Sequence, residues 1–280
     1  MTAVEVSPGP ESAVRPLTLL RAFLRRDFGI ALSYRLPFAF DLFQSILSVA
    51  FLYFLARVVG HKVLAATGLT ISYFGFAVIG TTMVAVLTVS LTSQSRGLRG
   101  DQISGTLEVL LSMPAAPWLV VLCNAAYQVA YAMVAAVLSL AFAFALGLRF
   151  HVTALSCVVA VIDFIGALVI FCALGMALAA FVMVFKRGET LTTLAIGALG
   201  LIGGVLYPVS SLSVPLRYLA DALPFTWALT TMRAALLGGQ SDYFLLSLVL
   251  IAAVVLFPLS VWVFSRAMSR AKRKGTVGQY

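Results

Sequence analysis

The chain has 280 residues, of which 62% are hydrophobic and 10% charged, and it carries a net charge of +9. A soluble globular domain holds about 25% charged residues, and no water-soluble fold of this length hides so much apolar surface. Membrane β-strands are excluded as well, since they would need about ten residues each with every second one polar. Instead, charge-free blocks run from Val63 to Ser95, Val109 to Leu148, Thr190 to Leu216 and Tyr243 to Ser265. Each exceeds the roughly 18 residues that mark a membrane-spanning helix.

In chain order, residues 1–15 mix Pro, Gly, Ser and Glu without periodicity and read as a mobile tail. Pro16 suits the first turn of a helix. On a helical wheel Leu17, Leu20, Leu24, Phe28 and Ala31 then share one stripe, with Arg21, Arg25 and Arg26 away from it. The pattern predicts a helix lying on the inner membrane surface, the alternative being an ordinary basic flank to the first span. Asp27 interrupts the apolar arc and is expected to pair with a neighbouring Arg or to face a partner.

Spans are expected at roughly 36–57, 70–94, 117–147, 154–185, 189–207 and 243–265. Between the second and third lies a polar stretch in which Asp101 is placed to cap a helix and Ile103, Leu107 and Leu110 to line one face, with Pro114 as the stop. This predicts a short amphipathic helix over about 100–113, whose central Gly105 suggests close approach of another backbone. Asp163, near the middle of the fourth span, marks either a functional site in contact with substrate or protons, or a structural hydrogen bond between helices. After the fifth span, Pro208, Pro215 and Pro224 cut residues 207–238 into pieces too short to cross yet too apolar for a free loop. Two short helices dipping into the outer half of the membrane satisfy both facts, as a gate or as a cap that plugs the outer face. Residues 267–280 form a basic tail.

With six crossings and a cytoplasmic amino terminus, 14 of the 19 basic residues fall in cytoplasmic segments and the other 5 outside, which favours both termini inside. Trp118, Trp262, Tyr207, Trp227 and Tyr243 fall near the expected boundaries. A cleavable signal peptide is not expected, because the first apolar run follows five arginines and exceeds the length of an h-region. The basic residues are dispersed, which gives no support to nucleic-acid binding. Cys123, Cys157 and Cys172 sit at no metal-ligand spacing and read as apolar fillers. Only two histidines are present, no HExxH, GxSxG or CxxC occurs, and no lysine follows a glycine as the GxxxxGK[ST] loop requires. The chain is therefore not expected to be an enzyme, to bind a cofactor or metal, or to hydrolyse ATP by itself.

Two motifs in these slots resemble the membrane subunit of ABC exporters of the ABC-2 class. One is Gly105-Thr106-Leu107-Glu108 with Leu110, Leu111 and Pro114, similar to that family's coupling segment. The other is Tyr207-Pro208, Leu212, Pro215, Pro224-Phe-Thr-Trp-Ala228 and Arg233, similar to its segment before the last span. The resemblance extends over nearly the whole chain after residue 16. It implies an all-α polytopic membrane protein with six transmembrane helices, an amino-terminal interfacial amphipathic helix, a cytoplasmic coupling helix and extracytoplasmic re-entrant helices over about 208–238, all within one transmembrane domain of residues 16–266. Asp101, Gly105, Thr106, Leu107, Glu108, Leu110 and Leu111 would couple to the ATPase. Asp163, Tyr207, Pro208, Trp227 and Arg233 would belong to the translocation path or gate. Family members often carry acids two and four residues before the coupling glycine; Asp101 matches the outer one and Ile103 replaces the inner. The implied partners are a separate ABC ATPase in two copies, which binds ATP and Mg, and a second permease copy or a paralogous permease. The expected cargo is hydrophobic or amphipathic, drug- or lipid-like, exported across the cytoplasmic membrane. A lipid-linked polysaccharide is the alternative cargo, and an ion-gradient-driven transporter using Asp163 is the competing class.

Overall fold

The computed structural model describes residues 16–273 except positions 34, 60–71, 104, 106–114, 152, 186–187 and 239–241. The described residues form nine α-helices: α1 (Pro16–Ser33), α2 (Arg35–Val59), α3 (Tyr73–Ile103), α4 (Pro117–Ala145), α5 (Ala154–Phe185), α6 (Gly188–Ile202), α7 (Val214–Asp221), α8 (Pro224–Leu237) and α9 (Tyr243–Arg273). A single 3-10 turn, Val209–Ser211, precedes α7. Where they are described, the charge-free blocks are mostly helical, because a backbone without water partners must satisfy its own N–H and C=O groups. Four of the helices, α3, α4, α5 and α9, are long and apolar enough to cross a membrane. The apolar parts of α2 and α6, Leu42–Val58 and Thr190–Ile202, are shorter.

The ends of these helices follow local chemistry. Asp242 Oδ1 accepts from the N–H groups of Phe244 and Leu245 at 3.0 and 3.3 Å and so caps α9. Thr153 does the same for α5 through the N–H of Ser156 at 3.2 Å. Pro117 and Pro224 stand in the first turns of α4 and α8, where a missing N–H is no loss. Gly238 closes α8 in the left-handed conformation with φ 84°. The expected fifth span reached to residue 207, but α6 stops at Ile202, and Gly204 at φ 70° turns the chain away.

The packing places α3 at the centre. Ala77, Val78, Met83, Val86, Leu87 and Leu91 are buried along it, within one cluster that also takes Ala167, Ile170 and Phe171 of α5, Phe225, Ala228 and Leu229 of α8, and Val249 of α9. Helices α3 and α5 pass closest at Gly175, where a Cβ would stand 2.5 Å from Ser90 O and 2.9 Å from Gln94 Nε2. Gln94 Nε2 donates to Cys172 O at 2.9 Å beside this contact, so a polar side chain bridges the two helices where glycine lets them meet. By contrast, Phe40, Phe43, Leu47, Phe51 and Phe54 of α2 and Ile251, Val254 and Val255 of α9 are exposed. Such continuous apolar faces are what a membrane helix presents to lipid or to a second chain.

The amino-terminal helix forms as expected, and Asp27 pairs with Arg26 at 2.7 Å. Its docking face differs from the predicted stripe. Leu19 and Phe23 are buried against Val120 and Cys123 of α4, whereas Leu17 and Phe28 of the stripe remain exposed. The apolar arc of α1 is wide enough to have two edges; packing against α4 takes one and leaves the other facing outward.

Candidate functional site

The first candidate region is the end of the bundle where α3 gives way to α4. Asp101 does not cap a new helix: α3 continues through it to Ile103, and Asp101 lies in the last turn. Gly105 adopts φ 69°, and a Cβ there would meet nothing within 4 Å. The glycine therefore serves a left-handed turn just beyond the helix, and among the described residues no other backbone approaches it closely. Thr106, Leu107, Glu108, Leu110 and Leu111 lie outside the described residues. What the structure adds here is a side chain that sequence reading passed over. Asn124 of α4 donates from Nδ2 to Asp101 Oδ2 at 2.9 Å and accepts at Oδ1 from Arg26 Nη2 at 2.6 Å. Its signal in the sequence is an amide isolated in the apolar run from Trp118 to Ala126.

The second region is a knot at the opposite end, built by the chain between α6 and α8. Arg233 of α8, 8% exposed, donates from Nη1 to Gly204 O at 2.9 Å, from Nη2 to Val205 O at 2.6 Å and Phe76 O at 3.1 Å, and from Nε to Phe76 O at 3.3 Å. Its guanidinium also lies 3.4 Å from the centroid of the Phe76 ring. A planar cation with five donors is thus held by main-chain acceptors alone among the described partners, and it fastens α8 to the unwound end of α6 and to the start of α3. Gly80 makes this possible: a Cβ there would press on Val205 O and stand 2.6 Å from Arg233 Nη2. The Tyr207 hydroxyl donates to Leu201 O, Trp227 Nε1 donates to Asp221 O at 2.7 Å, and Pro208 is buried at the start of the 3-10 turn. Tyr207, Pro208, Trp227 and Arg233 therefore all lie on the segment from the end of α6 to α8, with Arg233 bonded to its start and Trp227 to the end of α7. The prolines predicted two short helices there, and two are present: α7 is exposed on nearly every residue, and α8 is sunk into the bundle.

The fifth path residue stands apart from the knot's hydrogen bonds. Asp163 is 0% exposed, and among the described residues neither carboxylate oxygen has a hydrogen-bond partner. Helices α5 and α8 run antiparallel between two anchors, the Phe171–Phe225 ring pair at 5.9 Å and the bond from His151 N to Leu236 O at 3.2 Å. Both Asp163 and Thr231, whose hydroxyl is likewise buried without a partner, fall on the stretch between those anchors. Nearby Gly166 brings α5 against α9, with a Cβ position 3.0 Å from Val249. Helices α5 and α8 thus each carry a buried polar group with no hydrogen-bond partner among the described residues. Among the described residues no group of three His, Cys, Asp or Glu is placed to hold a metal ion.

A bundle of long apolar helices, with a short helix pair at one end of which α8 is buried and α7 exposed, and a docked amino-terminal helix at the other, is consistent with a multi-pass membrane protein. The family model for ABC-2 type transporters matches residues 18–237, and the chain belongs to that family. It is the membrane permease part of an ABC transporter, a transport subunit distinct from the ATPase, and permeases of this kind work with ABC ATPase partners. The match runs from α1 through α8, so it takes in both candidate regions. No curated protein sequence matches the chain.

Proposed function

We propose that this permease exports a hydrophobic or amphipathic, drug- or lipid-like molecule across the cytoplasmic membrane, driven by a separate ATPase that supplies ATP and Mg. The observation that carries this reading is the family match over residues 18–237 in a chain whose sequence holds no phosphate-binding loop. In the proposed topology α2 and α6 complete six crossings, both termini are cytoplasmic, and α7 and α8 are extracytoplasmic re-entrant helices. Two permease copies, or this chain and a paralogue, pair with two ATPases. ATP closes the ATPase pair and carries the coupling segments with it, and the spans reorient around a path between the two copies. The segment from Asp101 through Gly105, Thr106, Leu107, Glu108, Leu110 and Leu111 is the joint, and the knot of Tyr207, Pro208, Trp227 and Arg233 is the outer gate.

A charge placed on the apolar edge of the joint tests this directly. Leu107→Arg is expected to lower the amount of ATPase recovered with the purified permease by about tenfold, since one charge buried in a docked apolar edge removes a central contact. Unchanged recovery would remove the coupling assignment. One observation favours a second reading: the unpartnered carboxyl of Asp163 is the kind of group that ion-gradient-driven carriers use. On that reading transport in vesicles follows an imposed proton or sodium gradient without ATP.

A further inference from the structure

The connection between the amino-terminal helix and the last turn of α3 runs through the amide of Asn124. Leu19 and Phe23 dock α1 onto Val120 and Cys123, within the turn of α4 that leads up to that amide. Apolar docking of this kind holds a helix in place but is non-directional, whereas hydrogen bonds set its register. Asn124 supplies two bonds of opposite sense, accepting from Arg26 at 2.6 Å and donating to Asp101 at 2.9 Å. Each partner is ionic, which strengthens both bonds, and only this orientation of the amide serves a cation on one side and an anion on the other. Gly97 of α3 keeps the space open, since a Cβ there would stand 2.9 Å from Asn124 Nδ2. Asp101 in turn precedes by one helical turn the left-handed Gly105 at which α3 ends.

We propose that Asn124 is a positioning residue that ties the surface helix α1, through Arg26, to the base of the coupling segment, through Asp101, so that the three move as one unit. The proposal rests on the reading of residues 105–111 as the joint with the ATPase. It gives α1 a part in power transmission beyond anchoring the chain at the membrane surface.

The test exchanges the polarity of the network in the complete complex, permease with its ATPase in liposomes, reading Mg-ATP hydrolysis. Asn124→Asp keeps the bond from Arg26 but sets a second carboxylate against Asp101. It is expected to lower the kcat for ATP on the order of fivefold while the KM for ATP, which belongs to the partner, is unchanged. Adding Asp101→Asn turns the amide to the other side of the network, where it donates to the carboxylate at position 124. This exchange is expected to restore kcat to within about twofold of the parent. If the single variant does not accumulate, joint recovery of yield and kcat in the exchanged variant supports the proposal equally. A single variant with parental kcat, or an exchanged variant no better than the single one, overturns it. Failure of the parent permease to bring down any ATPase instead overturns the underlying reading of the joint, a separately visible result.

Discussion

Replacing Arg233 with Met is expected to loosen the knot and lower the stability of the permease by about 3 kcal/mol. The guanidinium reaches three main-chain carbonyls at distances between 2.6 and 3.3 Å. Phe76 lies inside α3 and keeps its helical bond, but Gly204 and Val205 receive no other main-chain bond among the described residues. Each buried carbonyl left without a donor costs about 1–3 kcal/mol, partly offset because the substitution no longer desolvates a cation. For a chain of this size that is an apparent melting temperature lower by roughly 8 °C, readable by size-exclusion chromatography after heating in detergent. Arg233→Lys should recover less than half of the loss, because one ammonium does not reproduce the fork that spans the ends of α6 and α3. A melting temperature unchanged in the Met variant would mean that the knot is held by packing alone.

The second large effect has the opposite sign on stability. Asp163 is buried with both oxygens unpartnered among the described residues, so Asp163→Leu exchanges an unsatisfied polar group for an apolar one of similar size. The expected result is a gain of about 1–3 kcal/mol, seen as a higher melting temperature in the same assay, together with a large loss of ATP-driven transport if the carboxyl serves the path. Buried polar groups are nearly always bonded, and one that is not is best understood as a group awaiting a ligand, a proton or a rearrangement. A fall in stability would identify Asp163 as a structural strut instead, and transport would then be lost only through misfolding.

The elements that could be read from the sequence are those governed by local chemistry. Long charge-free blocks identified α3, α4 and α9, and an apolar run broken only by Asp163 identified α5, as helices long and apolar enough to cross a membrane. Pro208, Pro215 and Pro224 announced the broken pair α7 and α8, since proline is tolerated in the first turn of a helix and disfavoured further in, although Pro258 stands inside the continuous α9. Asp27 fell where an apolar residue was expected, and the interruption was resolved by its neighbour Arg26. What stayed hidden depends on partners distant in sequence. The helical wheel showed that α1 has an apolar face, but which edge meets protein is decided by Val120 and Cys123 a hundred residues away. The hydrogen-bond partners of Arg233 could not be read because they are backbone carbonyls, which carry no residue-specific signature. Gly105 invited a packing argument, and only the backbone angle distinguishes close approach from a left-handed turn. Asp101 looked like a cap because capping residues also occur freely in the last turn of a helix that runs on.

The same distinction applies to the two candidate regions. The motif from Gly105 to Leu111 is legible as residues, and its role depends on a partner surface that the chain does not contain. The knot is legible in composition through its aromatic residues and prolines, and its geometry emerges only when α6 unwinds at Gly204 and exposes carbonyls for Arg233. Asn124 belongs to neither motif, yet it is the residue through which the docked surface helix reaches Asp101.

The central claim is that this permease is one part of an ATP-driven machine. It is tested most directly by the intact mass of the complex released gently from native membranes. The account predicts an assembly of two permeases, either two copies of this chain or this chain with a paralogue, with two copies of a P-loop ATPase. A permease recovered alone or only with non-ATPase partners, yet still competent in gradient-driven transport, would contradict it.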